Sequence, residues 1–491
     1  MSCIRSTCFL STALLALVAG PAAASGFDLD FDNATLRVDY FRSGDAGHEV
    51  VTLDRLYRQG PWAGPRTHLV DELPHGGSMV ELRDAATGEA LYSQRYDSYF
   101  GEYRTTGPAA DGIARTYHET VLLPFPRRPV LLRLSSRQSD GTLQPLFEIE
   151  LDPEATAFSL EPPAGGAIVV EAHVGAEPQR ALDIAILGEG YTAAEAATFR
   201  TDLERAASTL LGFEPFASHR DRLSIRGVLL PSAESGCDEP SRGRFRDTAL
   251  GASFDALGSE RYLLTEDNRR LRDVAANVPY DALIIMVNHD RYGGGGIYRL
   301  YCTFTAHSAW ADYLLLHEFG HSFAGLADEY YSSQVAYNEF YPRGREPDEP
   351  NITALLDPAQ LKWKDLVAPD TPLPTPWEKE AFDAADGAYQ AQRAALNEAL
   401  AEAVRSGGPE AEVQVLRELE ERHAETHARW VHEFLSASES AGLVGAFEGA
   451  GYSSQGLYRP QLDCLMFSRR AQPYCAVCER AVEAMIRRYS D

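Results

Sequence analysis

The chain has 491 residues, 72 Asp and Glu against 45 Lys and Arg, a formal charge of −27, and 44% hydrophobic residues. The apolar share excludes wholesale disorder, and the length asks for two to four domains. The acidity argues against a nucleic-acid partner, whose phosphates need Lys and Arg to replace released counterions, and against docking on an anionic membrane.

In chain order, residues 1–24 read as a secretory signal peptide. Arg5 supplies the basic start, Cys8 to Gly20 is an apolar run too short to span a bilayer, and Ala22-Ala23-Ala24 is a small-residue cleavage site before Ser25. The mature protein is therefore expected to be secreted or periplasmic, and soluble. No later run approaches the roughly 18 apolar residues of a spanning helix. Cleavage removes Cys3 and Cys8 and leaves Cys237, Cys302, Cys464, Cys475 and Cys478. An oxidising destination permits disulfides, but the number left is odd. Cys475-Ala-Val-Cys478 reads as half a zinc site, a redox pair, or a partner for Cys464 plus a spare. With no second CxxC, a zinc site of four cysteines is disfavoured. The expected pairs are Cys237–Cys302 and Cys464 with Cys475 or Cys478.

Residues 25–155 read as an all-β sandwich domain. Seven short apolar-alternating runs, from LRVDYF to PLFEIEL, are separated by turn clusters such as SGDAG, HGG and AATG. His75 and His118 have no ligand spacing here. Residues 165–491 then read as an α/β catalytic domain. IVVEAHV, ALDIAILGEGY, LSIRGVLL and DALIIMVN are strands, and Thr192-Ala-Ala-Glu195 opens a helix with a capping box. Within that domain, residues 377–440 read as an inserted helical hairpin, broken at Ser406-Gly-Gly-Pro409, whose charges form a solvated face. Asn33-Ala-Thr35 and Asn351-Ile-Thr353 have the form of glycosylation sequons.

The chemistry concentrates in Leu314-Leu-Leu-His317-Glu318-Phe-Gly-His321-Ser-Phe-Ala-Gly325-Leu-Ala-Asp328-Glu329-Tyr330-Tyr331. Four-residue spacing sends both imidazoles out of one helix face, where they can grip one Zn²⁺. Glu318 sits beside the first ligand, placed to take a proton from an activated water. The flanking Leu and Phe residues bury this helix, so unpartnered His and Glu side chains there would be costly; a metal satisfies them. Gly325 ends the helix in a left-handed conformation and returns the chain with a third ligand. The spacing HExxHxxxGxxD is one residue longer than the metzincin pattern. Asp328 is the chosen ligand; Glu329 or a later Glu is the alternative.

The segment HEFGHSFAGLADEYY, preceded by Gly293-Gly-Gly-Gly-Ile-Tyr-Arg-Leu-Tyr-Cys302 and followed by Glu349-Pro-Asn-Ile-Thr353, resembles the immunoglobulin A peptidase (M64) family of metallopeptidases. The resemblance extends over nearly the whole mature chain. It implies a zinc endopeptidase with His317, His321 and Asp328 as ligands and Glu318 as base. In a zincin, metzincin-like layout, Ile297 to Thr305 is the edge strand that pairs with extended substrate, and the glycines at 293–296 form a lip or an ordinary turn. Met466 is the candidate for the methionine turn beneath the imidazoles. Tyr458, Tyr330 or Tyr331 is the candidate oxyanion donor.

The expected activity is zinc-dependent hydrolysis of a protein or peptide substrate. Two rivals share the zinc: a non-catalytic binding protein or adhesin, suggested by the β domain, and an amidase acting on cell-wall peptides. The intact Glu318 argues against the first, because a structural site needs no general base. Neither the oligomeric state nor the specificity is legible.

Overall fold

The computed structural model describes residues 26–138, 140–332, 341 and 344–491. The expected signal peptide lies outside the described residues.

The N-terminal region is β-rich. Glu49–Gln59, Phe31–Gly44 and Arg115–Pro126 form one antiparallel sheet; Ala90–Tyr96, Ser78–Asp84, Val130–Arg137 and Leu143–Leu151 form a second. Alternate residues of each strand point to one side. Leu36, Val38, Val80, Leu82, Leu123 and Leu132 therefore meet in a shared apolar core between the sheets.

The larger part of the chain is mixed α/β, built on a six-stranded sheet. Its order is Gly294–Ile297, Tyr301–Thr305, Ala282–Val287, Leu182–Glu189, Leu223–Leu229, Ile168–Val174. The four inner strands are parallel, and both edge strands run antiparallel to their neighbours. Such inner strands are apolar on both faces. Ile184 and Ile186 face one core, and Ala185 and Leu187 face the other. The first core holds the helices Ala196–Leu211, Ala311–Ala324 and Ala476–Ser490. The second holds the helix Asn268–Ala275, together with Tyr99, Phe100 and Tyr103 of the N-terminal region. Thr192 and Glu195 make the reciprocal capping box that starts the first of these helices.

Residues Lys379–Arg405 and Glu410–Ser436 are two long helices joined by a tight turn. Phe382, Val431 and Leu435 pack them onto the first core, while Leu400, Ala403 and Val413 form a small cluster of their own further out. Among the described residues, no helix is long and apolar enough to cross a membrane.

Three expectations need correction. The sheet edge is Gly294–Ile297, and Tyr301–Thr305 lies inside it. The glycines are thus a strand, because only a residue without a side chain fits there. A Cβ on Gly296 would lie 2.4 Å from the Glu318 carbonyl oxygen, and one on Gly294 would lie 2.9 Å from Glu318 Cγ. The five cysteines are all buried and unbonded to one another. Cys237 and Cys302 belong to different cores, on opposite sides of the sheet. Asn351, in the second sequon, is fully buried, with its amide bonded to Ala327 on both sides, so it clamps the loop after the helix.

Candidate metal centre

The helix Ala311–Ala324 is buried on nearly every side, with Leu314, Leu315, Leu316, Phe319 and Phe323 in the core. It stops at Gly325, whose φ of 62° is left-handed. Gly325 N–H donates to the His321 carbonyl and Leu326 N–H to that of Gly320, which satisfies the last turn and reverses the chain. Asn351 then grips Ala327, and the backbone carbonyls of Asp328 and Tyr330 accept from Gly451 and Tyr452 N–H. The sequence after the helix is thereby held as a rigid return.

This return brings Asp328 to the two histidines. Asp328 Oδ1 lies 3.0 Å from His317 Nε2 and 3.2 Å from His321 Nε2, and the two Nε2 atoms are 3.2 Å apart. The other ring nitrogens face carbonyl oxygens, which only accept, and the Tyr313 hydroxyl, 3.3 Å from His317 Nδ1, can accept as well. His317 Nδ1 is 3.2 Å from Leu465 O, and His321 Nδ1 is 2.5 Å from Leu326 O. Each Nδ1 therefore carries a proton, and a neutral imidazole then points an Nε2 lone pair at the carboxylate. Asp328 Oδ1 has no hydrogen-bond donor of its own. Burial disfavours charge on His321, yet the adjacent Asp328 outweighs it and raises the imidazole to about 9. The three donors thus require a positive charge between them. Tetrahedral coordination at about 2.0–2.1 Å separates nitrogen ligands by about 3.3 Å, so the trio fits a zinc ion.

Glu318 lines the same cavity, with Arg261, Tyr330, Gly294, Gly296 and Tyr452. Burial pushes its carboxyl up, against the opposing influence of the nearby His317 and His321. Met466 lies under the helix, where a Cβ on Gly320 would meet its sulfur at 3.1 Å. Its carbonyl accepts from Glu329 N–H at 2.9 Å.

Of the three tyrosines, only Tyr330 reaches the cavity. Its ring stacks on His317 at 6.1 Å, and Arg261 Nη2 donates to its oxygen at 3.0 Å. Tyr331 donates to Asp383 on the hairpin, and Tyr458 lies in the strand Ser453–Arg459, hydrogen-bonded through its backbone to Thr353. Glu329 turns the other way, towards Asn351, Cys475 and Cys478. Two cavity residues carry no sequence signal. Arg261 comes from a loop before the sheet edge, and Tyr452, at φ 62°, donates to Asp328 Oδ2 from a hairpin turn over 120 residues away. Nothing local in either segment marks it.

A family model described as IgA Peptidase M64 matches residues 170–486, and one described as Peptidase M64 N-terminus matches residues 26–148. No curated protein matches the chain.

Proposed function

The chain belongs to the IgA peptidase M64 family, and on that premise we propose that it is an exported, zinc-dependent endopeptidase with a zincin, metzincin-like catalytic region. The observation that carries this reading is the convergence of His317 Nε2, His321 Nε2 and Asp328 Oδ1 within 3.0–3.2 Å, beside a buried glutamate in one cavity.

His317, His321 and Asp328 would hold the ion. When bound, zinc polarises the scissile carbonyl and brings the pKa of a water towards about 7. The Glu318 carboxylate takes that water's proton and delivers it to the leaving amine nitrogen; its burial makes it a better base than an exposed glutamate. The Tyr330 hydroxyl, oriented by Arg261, donates to the carbonyl oxygen as negative charge develops there. The edge strand receives the substrate backbone. The outward N–H of Gly294 already donates to the Arg261 carbonyl, and its C=O accepts from Leu263 N–H. Strand alternation turns those of Gly296 the same way, available to an extended peptide.

The test is Glu318→Gln in the full mature chain, with zinc measured by mass spectrometry and cleavage measured on a peptide library. Zinc content should persist while hydrolysis falls about 10²–10⁴-fold. Chelation of the unmodified protein should abolish cleavage, and added zinc should restore it. Full activity of the zinc-loaded variant would refute the assignment.

A further inference from the structure

Behind the catalytic trio lies a second group of metal-binding atoms that the mechanism does not use. Cys464, Cys475, Cys478 and Glu329 are each 3% exposed or less. One donor atom from each lies within 4.8 Å of all the others. We propose that these four side chains hold a second, structural zinc ion.

The spacing fits such an ion. With Zn–S of about 2.3 Å, tetrahedral coordination puts two sulfurs about 3.8 Å apart. Cys464 Sγ and Cys478 Sγ are 3.8 Å apart. With Zn–O of about 2.0 Å, a sulfur and a carboxylate oxygen should be about 3.5 Å apart. Glu329 Oε1 is 3.1 Å from Cys478 Sγ and 3.7 Å from Cys475 Sγ. A disulfide needs about 2.0 Å between sulfurs, little more than half the observed separation.

The surroundings suit thiolates. Cys464 Sγ accepts backbone N–H groups from Met466 at 3.5 Å and Cys475 at 3.2 Å. Cys475 is the residue just before the 15-residue helix Ala476–Ser490, and Cys478 lies in its first turn, so both sulfurs sit at the positive end of its dipole. Glu329 Oε2 is buried with no hydrogen-bond partner. A buried carboxylate among three sulfurs is expensive without a cation. Zinc offsets that cost, and the three thiol protons pass to solvent as it binds. Four protein ligands leave no open position, so this ion is structural.

Its position gives it a purpose. Glu329 follows Asp328, and its N–H bonds Met466 O. Cys464 is two residues before Met466, and the Leu465 carbonyl between them orients His317. The second ion therefore ties together the return loop, the turn under the histidines and the last helix.

The experiment uses the full mature chain, purified without chelator or reductant. The wild-type protein should hold two zinc ions per chain, and His317→Ala/His321→Ala should retain one. X-ray absorption of that variant should show sulfur neighbours at about 2.3 Å. Cys475→Ser/Cys478→Ser should lose one zinc from the wild-type stoichiometry. Titration of the denatured, unreduced wild-type chain should find five thiols, since Cys3 and Cys8 leave with the signal segment. A zinc shell without sulfur, or a peptide joining Cys464 to Cys475 or Cys478, would overturn the proposal. The thiol count and the wild-type absorption spectrum serve even if a variant does not fold. Failure of the catalytic reading shows separately, as no difference in zinc between the wild type and the histidine variant.

Discussion

Replacing Gly296 with alanine tests how the edge strand and the helix that carries His317 and His321 fit together. The added Cβ would stand 2.4 Å from the Glu318 carbonyl oxygen and 2.8 Å from His321 Cβ. Ordinary contact begins at 3.4 Å, so the methyl intrudes by about 1 Å on a helix backbone that has no room to retreat. If the strand holds its place, stability should fall by about 3 kcal/mol, the upper end of overpacking costs. If the strand moves outward instead, stability recovers, but the edge strand leaves its register with Glu318. A displacement of about 1 Å can then lower kcat/KM about 10²-fold. Gly295→Ala is the control. Its Cβ points to the other face, where its one close contact is Leu264 Cδ2, a side-chain end, at 2.8 Å, with the Leu263 carbonyl oxygen at 3.8 Å. Urea denaturation and peptide cleavage on both variants distinguish these outcomes. A Gly296→Ala protein as stable and as active as Gly295→Ala would refute the packing argument.

Other consequences can be checked independently. Tyr452→Phe removes the hydroxyl that donates to Asp328 Oδ2, so zinc affinity measured by chelator competition should drop about 10–100-fold; an unchanged affinity would show that this hydroxyl does not support the site. Asp71→Ala leaves the Arg299 guanidinium buried without its carboxylate and should cost about 3–5 kcal/mol in chemical denaturation, whereas a loss under 1 kcal/mol would mean that water reaches the cation. Burial, aided by Arg299, Lys362 and Arg137 and opposed by Asp71, lowers His75 to about 4. The unfolded chain takes up that proton near pH 6.5, so stability present above pH 6.5 is lost as pH falls towards 4, by at most about 3 kcal/mol. His75→Gln should flatten that part of the stability profile, and an unaltered slope would assign the effect to another group.

Much of this architecture is legible in the sequence because it is local. Alternation marks the seven strands of the N-terminal region. A capping box at Thr192 and Glu195 marks a helix start, and four-residue spacing with a glycine stop places His317, His321 and Asp328 along one continuous segment. What escaped depends on distant segments meeting. Arg261 and Tyr452 enter the cavity from loops with ordinary composition, and only the folded sheet brings them to Asp328 and Tyr330. The cysteine pairing failed for a related reason. The redox compartment points to disulfides, whereas the fold gathers three thiols around Glu329, which the sequence offers only as a rival to Asp328. The glycine run misled because a strand without side chains has no alternation to detect; its reason lies in the helix beneath it.

The short turn at Tyr298–Leu300 joins the edge strand Gly294–Ile297 to its neighbour Tyr301–Thr305, and the β-rich region holds it from behind. Asp97 N–H bonds Tyr298 O at 3.0 Å, while Arg299, at φ 57°, binds Asp71 and the Arg95 carbonyl. The N-terminal region is therefore a buttress for the cleft rather than a detachable appendage. Expression of residues 165–491 alone would strand a buried guanidinium and loosen the hairpin beside Glu318. A chimera that exchanges the β-rich region between relatives would need the partners of Asp71 and Asp97 to travel with it.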